Sequence, residues 1–320
     1  MQPTPVLRNF LKVITRKIDR GMFRLKPVLN QRRKDEITMI VGYCIACAQS
    51  KFNVDIYGIC IMSNHYHIYV RDNEANLPWF AAEVNRNIAQ CLNEKQGTRG
   101  PVWNRDRCNQ MMIGSRRDHL KFLLYVMMNP VAAGLVEKQK HWPGMVTTPE
   151  DFLKVEGITF ARPRYFFKKD GKMPEKSTLF YSVLPGYEAM DRNSYVQFLQ
   201  EQIASQEKQI RAKRGNKKCL GRRRILKIDP FSAPKKGTEE HGLNPKVACS
   251  DKLKRIKLLA FLKNWRIAYR LAWQEYKRGN KEVTFPHGTF KIAWEHKVRV
   301  ETGGCKEAED LELILPEFAL

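Results

Sequence analysis

The sequence predicts an α+β fold: a ferredoxin-like split βαβ unit with a helix added at its end, followed by a basic, largely helical extension. Three observations predict it. Short apolar or alternating runs at 10–15, 54–62, 65–71 and 110–113 read as strands. Apolar residues at helical spacing occupy 31–51, 77–95 and 116–129. The resulting order is strand, helix, strand, strand, helix, strand, helix. Its first six elements form the split βαβ pattern, and the seventh is the addition.

Phe10 to Thr15 is apolar enough for a buried strand. From 31 to 51, the apolar positions Ile37, Ile40, Val41, Cys44 and Ala48 share one helical face. Val54–Met62 and His65–Arg71 flank the turn residues Ser63-Asn64, which makes them hairpin partners. Asn76 is placed to cap a helix over 77–95 that carries Phe80, Val84, Ile88 and Leu92 on one face. Gly97-Thr98-Arg99-Gly100-Pro101 ends it. A strand near Gln110–Ile113 precedes a helix from about 116 to 129, which Pro130 is expected to stop.

Two regions follow from this pattern, a catalytic unit over 1–150 and a basic extension over 151–320. The chain has 320 residues, with 57 Lys and Arg against 33 Asp and Glu, a net charge of +24. Lys208 to Arg278 holds 22 basic and 5 acidic residues, a net of +17. Such an excess favours a polyanion, most commonly nucleic acid. No apolar run approaches the roughly 18 residues of a membrane span, and the N-terminal residues lack signal-peptide character. A soluble, cytoplasmic, DNA-associated protein is the expectation. Eight scattered cysteines suit a reducing compartment, and Cys44 and Cys47 read as small core residues.

The candidate chemistry lies in four residues. His65 and His67 are two apart on a strand, so they point to one face and can converge on one divalent ion. Tyr125 and Asn129 are four apart on a helix and share a face. Tyr66, between the histidines, points the other way. A metal held by the histidines and an oxygen ligand polarises a phosphate oxygen. The Tyr125 hydroxyl can then attack phosphorus, leaving a free 3′-OH and a 5′-phosphotyrosine that conserves the energy of the cleaved bond.

Met62-Ser63-Asn64-His65-Tyr66-His67-Ile68, Gly100-Pro101-Val102-Trp103 with Arg105, and the run from Tyr125 through Asn129-Pro130-Val131 to Ala133-Gly134-Leu135-Val136 occur in that order. Together they resemble the single-tyrosine HUH transposases, and within them the REP-associated tyrosine transposases, over roughly residues 10 to 145. His141-Trp142-Pro143 resembles the tryptophan–proline that closes the family's domain. Ser63 stands where the family has proline, and Ala132 where it has arginine. The resemblance implies that His65, His67 and Asn129 bind the metal, magnesium or manganese, and that Tyr125 is the nucleophile. It implies single-stranded or hairpin DNA as substrate, handled by a monomer or a homodimer. Arg105 and Arg107 are the alternative counterparts of the family's arginine after the tryptophan.

In the extension, Arg222, Arg223 and Arg224 form a basic run suited to the DNA backbone, with a solvated loop as the alternative. The stripe Ile256, Leu259, Leu262, Trp265, Tyr269, Trp273 and Tyr276 is best explained by helical core packing, with base stacking by one aromatic as the alternative. Two other functions compete with strand transfer: site-specific nicking of the replication-initiator or relaxase kind, and catalytically inactive, domesticated DNA binding.

Overall fold

The computed structural model describes residues 3–105, 108–168, 171–234 and 245–301. The architecture is α+β. In chain order the first elements are β1 (Leu11–Lys17), α1 (Glu36–Lys51), β2 (Val54–Ile61), β3 (His65–Asp72), α2 (Leu77–Gln96), β4 (Asn109–Ile113) and α3 (Arg116–Ala132). After them come β5 (Ile158–Ala161), β6 (Lys176–Leu179), α4 (Arg192–Arg214), α5 (Arg222–Lys227), β7 (Val247–Ala248), α6 (Lys252–Lys277), β8 (Thr284–Phe285), α7 (Lys291–His296) and β9 (Arg299–Val300).

The central sheet has the order β2-β3-β1-β4-β7. Its first four strands are antiparallel to their neighbours, and β7 joins β4 in parallel. Strand alternation sorts the side chains. Tyr66, Ile68 and Val70 face the layer that includes α2, where the Tyr66 hydroxyl donates to Asn85 Oδ1 at 2.8 Å. His65, His67 and Tyr69 face the other way, and α3 lies against β2 and β3. Gly58 permits that approach: a Cβ there would sit 2.9 Å from Leu123 Cδ1 on α3.

Local chemistry sets the boundaries. The helix expected from 31 begins at Glu36, because the Asn30 side chain accepts from Arg32 N and Lys34 N and holds a turn. The Asp35 carboxylate then caps Ile37 N and Thr38 N. Asn76 sits at the start of α2 but its side chain makes no cap. Asp72 takes that role, accepting from Asn76 N and Leu77 N at 2.9 and 3.1 Å. Pro130 does not stop α3, which runs on to Ala132. Near a helix end a proline removes one backbone hydrogen bond without breaking a longer ladder, and Asn129 therefore stays in helical phase with Tyr125.

The later chain is built onto this sheet. The β5–β6 hairpin rests on α1, with the Phe160 ring where a Gly42 Cβ would be. Outside β2, Ile61 N donates to Met145 O, Thr147 N to Ile59 O and Ser182 N to Ile56 O. At the opposite edge, β7 and α6 bury Val247, Leu258, Phe261, Leu262 and Trp265 with Met112 of β4. Ile256 and Leu259 of the same helix are exposed, so only part of the apolar stripe on α6 is core. Cys44 and Cys47 are buried free thiols. No helix among the described residues is long and apolar enough to cross a membrane.

Candidate active site

The site forms where β1 ends and β3 begins. Lys17 pairs with His65 and Thr15 with His67 across the two strands. The histidine rings are 4.8 Å apart, centroid to centroid, and nearly perpendicular. His65 Nδ1 lies 2.7 Å from Asn64 Oδ1, an atom that can only accept, so Nδ1 carries the proton and Nε2 keeps its lone pair. His67 Nδ1 and Thr15 Oγ1 share a hydrogen bond of 2.8 Å; with Nδ1 as its donor, Nε2 of this ring is left to ligate. Burial, reinforced by Lys17, pulls His65 down to about 4. Burial, then His65 and Lys17, holds His67 well below the ordinary range for imidazole. Both rings are therefore neutral near pH 7, the form that binds metal.

Tyr125 projects from α3 onto this pair. Its ring meets that of His67 at 5.3 Å between centroids, at an angle of 65°, and Phe122 flanks it at 6.2 Å. With 45% of its surface exposed, it differs from its neighbours Leu124 and Val126, which are buried. Partial burial raises the phenol above its ordinary pKa, while the Asn129 side chain, placed to donate towards the phenol oxygen, works in the opposite direction. The geometry thus brings His65, His67 and Tyr125 together, with Asn129 one helical turn beyond the tyrosine. Among the described residues no three His, Cys, Asp or Glu side chains cluster as a metal site. His65 and His67 are side chains of the type that could hold a divalent ion, and Asn129 lies one helical turn beyond Tyr125.

The basic residues lie in two places. Arg105 is exposed on the loop after Trp103, a residue whose indole donates to Asn85 O and packs edge-on against Tyr66. Arg107 lies outside the described residues. Arg222, Arg223 and Arg224 are exposed on α5. The run is not a free loop: Leu220 N donates to Gly134 O and Gly221 N to Leu135 O, immediately beyond the tyrosine helix. Lys26 Nζ donates to Leu226 O, and Leu25 N to Ser63 O, which links α5 to the turn before His65. Thr15 and Lys17 escaped sequence reasoning, because their place beside the histidines is set by strand register. Asn64 had a signal, since it directly precedes His65 in the turn.

Neither the protein-family models nor the curated proteins include a match to this chain. Among solved structures, it is distantly similar to a REP-associated tyrosine transposase bound to a REP hairpin. That similarity has a TM-score of 0.36 and 14% identity, over 55% of this chain and 95% of the other.

Proposed function

We propose that this protein is a DNA transposase that cleaves and rejoins single-stranded DNA through a 5′-phosphotyrosine intermediate on Tyr125. The observation that carries the reading is the packing of the Tyr125 ring on His67, which itself lies against His65. The strand order β2-β3-β1-β4, with α1 and α2 as crossovers, supports a ferredoxin-like split βαβ catalytic unit within residues 1–150. Residues 151–320 act as a DNA-contacting extension.

His65, His67 and Asn129 would hold magnesium or manganese, which would supply charge neutralisation at a phosphate oxygen. Asn64 and Thr15 fix the two imidazoles so that each offers Nε2. Asn129 lies one helical turn beyond Tyr125, whose hydroxyl enters protonated, as a phenol is near pH 7 and the more so when burial raises its pKa. The Tyr125 oxygen bonds to phosphorus as the bond to the 3′ oxygen breaks. The phenolic proton is lost to solvent and a proton ends on the 3′-OH. One ester replaces another, so rejoining is the same exchange in reverse.

Incubating the protein with single-stranded DNA and manganese, then running a denaturing gel, tests this reading. The wild type should yield a covalent adduct and Tyr125→Phe none, with both proteins equally folded. An adduct from Tyr125→Phe would remove the tyrosine from its role. No adduct from either protein, with DNA binding intact, would favour an inactive, domesticated DNA-binding protein.

A further inference from the structure

A cavity of about 860 Å³ opens between α2, α6 and α7, on the sheet face away from the histidines. Its floor includes Arg16 and Gln110. Gln110 pairs with Ile14, whereas Thr15, between Ile14 and Arg16, bonds His67, so strand alternation separates this cavity from the candidate active site. Its volume lies within the roughly 300–1,000 Å³ typical of ligand pockets. Two features set its chemistry.

The first is aromatic. Trp79 from α2, Tyr269 and Trp273 from α6 and Trp294 from α7 all line it. Trp294 meets Trp79 edge-on at 4.7 Å yet keeps 57% of its surface exposed. Lys297 Nζ lies 5.8 Å from its ring centroid, and the exposed remainder of the indole is a surface on which a base can stack. The second is charge. Six Lys and Arg side chains line the cavity against one carboxylate, Glu295. Lys246 and Arg266 lie close enough that the arginine helps burial to hold the lysine below its ordinary pKa. Lys246 Nζ donates to Asn109 Oδ1 and Arg266 Nε to Pro3 O, both neutral acceptors, so the positive charge in this lining exceeds what Glu295 offsets and favours an anion. Flat apolar faces interleaved with cations suit unstacked bases on a phosphate backbone.

We propose that this cavity binds a segment of single-stranded DNA through base stacking on Trp294 and phosphate contacts to Arg266, Arg270 and Arg105. The inference rests on the proposed function for its choice of DNA as the strand. In this arrangement α6 and α7 hold part of the substrate that the tyrosine does not touch. Arg105, on the loop at the cavity rim, then belongs to this second site.

The test measures binding by fluorescence anisotropy, using a labelled thymidine oligonucleotide of roughly ten nucleotides, within the span of single-strand-binding grooves. Trp294→Ala should bind roughly 5- to 150-fold more weakly, the loss expected for one stacked base, and Trp294→Phe should recover most of it. An oligonucleotide of the same length lacking bases should bind the wild type more weakly and Trp294→Ala no more weakly still. Tyr125→Phe should bind as the wild type does, which keeps this measurement independent of cleavage. Base-dependent binding through Trp294 without any covalent adduct would sink the transposase reading and leave this site standing. Equal affinity of wild type and Trp294→Ala for both oligonucleotides, with adduct formation intact, would overturn the cavity proposal and leave the transposase reading standing.

Discussion

Replacing Gly58 with alanine should slow covalent adduct formation far more than it weakens DNA binding. Gly58 lies on β2 at the register shift after Ile56 and faces α3. A Cβ there would stand 2.9 Å from Leu123 Cδ1 and 3.6 Å from Val126 Cγ1. Favourable carbon contacts lie at about 3.5–4.0 Å, so Leu123 must retreat by roughly half an ångström to one ångström. Leu123 and Val126 are fully buried and flank Tyr125 in sequence, so the movement passes into the backbone that carries the nucleophile. Overpacking of this size costs about 1–3 kcal/mol. A misplacement of about 1 Å at a reacting group can cost on the order of 10²-fold in rate. We therefore expect Gly58→Ala to form adduct on saturating single-stranded DNA roughly 10- to 100-fold more slowly. Its melting temperature should fall and its DNA affinity should hold. Adding Leu123→Val makes room, and should restore part of the rate. A Gly58→Ala protein with wild-type rate and wild-type melting would show that this contact does not seat α3. A lower melting temperature with an unchanged rate would show that the strain is absorbed away from Tyr125.

Other predictions follow from single contacts. Thr15→Val removes the partner of His67 Nδ1 and should weaken manganese binding by roughly 10- to 100-fold in calorimetry; unchanged affinity would mean that Thr15 does not orient the ring. A chelator should abolish adduct formation and added manganese should restore it, with DNA affinity retained throughout; full activity in chelator would exclude a required ion. Neutralising Arg222, Arg223 and Arg224 together should flatten the slope of log affinity against log salt by about 2. An unchanged slope would place that run away from phosphate. Lys12 is 1% exposed, makes no hydrogen bond through its ammonium to the described residues, and is held at about 8 by burial, with Asp72 opposing. The folded state therefore binds fewer protons than the unfolded state between pH 8 and 10.5, and stability rises with pH across that window by up to roughly 3 kcal/mol. Urea midpoints should show the difference between Lys12→Met and wild type changing across that window; a constant difference would refute the assignment.

Part of this molecule is legible in the sequence because periodicity carries it. The spacings of His65 with His67 and of Tyr125 with Asn129 define shared faces before any fold is known, and the hairpin turn at Ser63-Asn64 fixes where the histidine strand starts. Other features depend on contacts between distant segments. Thr15 reaches His67 only through the β1–β3 register. Asp72 displaces Asn76 as the cap because a carboxylate at the end of β3 is already aimed at the first amides of α2. Arg223 looks like part of a loose basic loop until Leu220 and Gly221 bond the chain beyond α3. The stripe on α6 divides between core and surface because the sheet edge covers only part of the helix. Trp265 is buried there, while Ile256 and Leu259 project into solvent. A two-residue strand such as β7 has no periodicity to read.

Both outer strands of the antiparallel part of the sheet, β2 and β4, are covered by chain made later, and that orders events on the ribosome. β4 is complete at Ile113 but meets β7 only at Val247. At roughly 5–20 residues per second, the intervening stretch takes on the order of ten seconds to synthesise. Throughout that interval, β4 presents free amides and carbonyls to any strand that drifts past. β2 waits less, since Met145 and Thr147 arrive soon after α3. A nascent chain halted between these points has one edge closed and the other open. Such chains should pair with one another through β4, whereas chains released after α6 has folded should not.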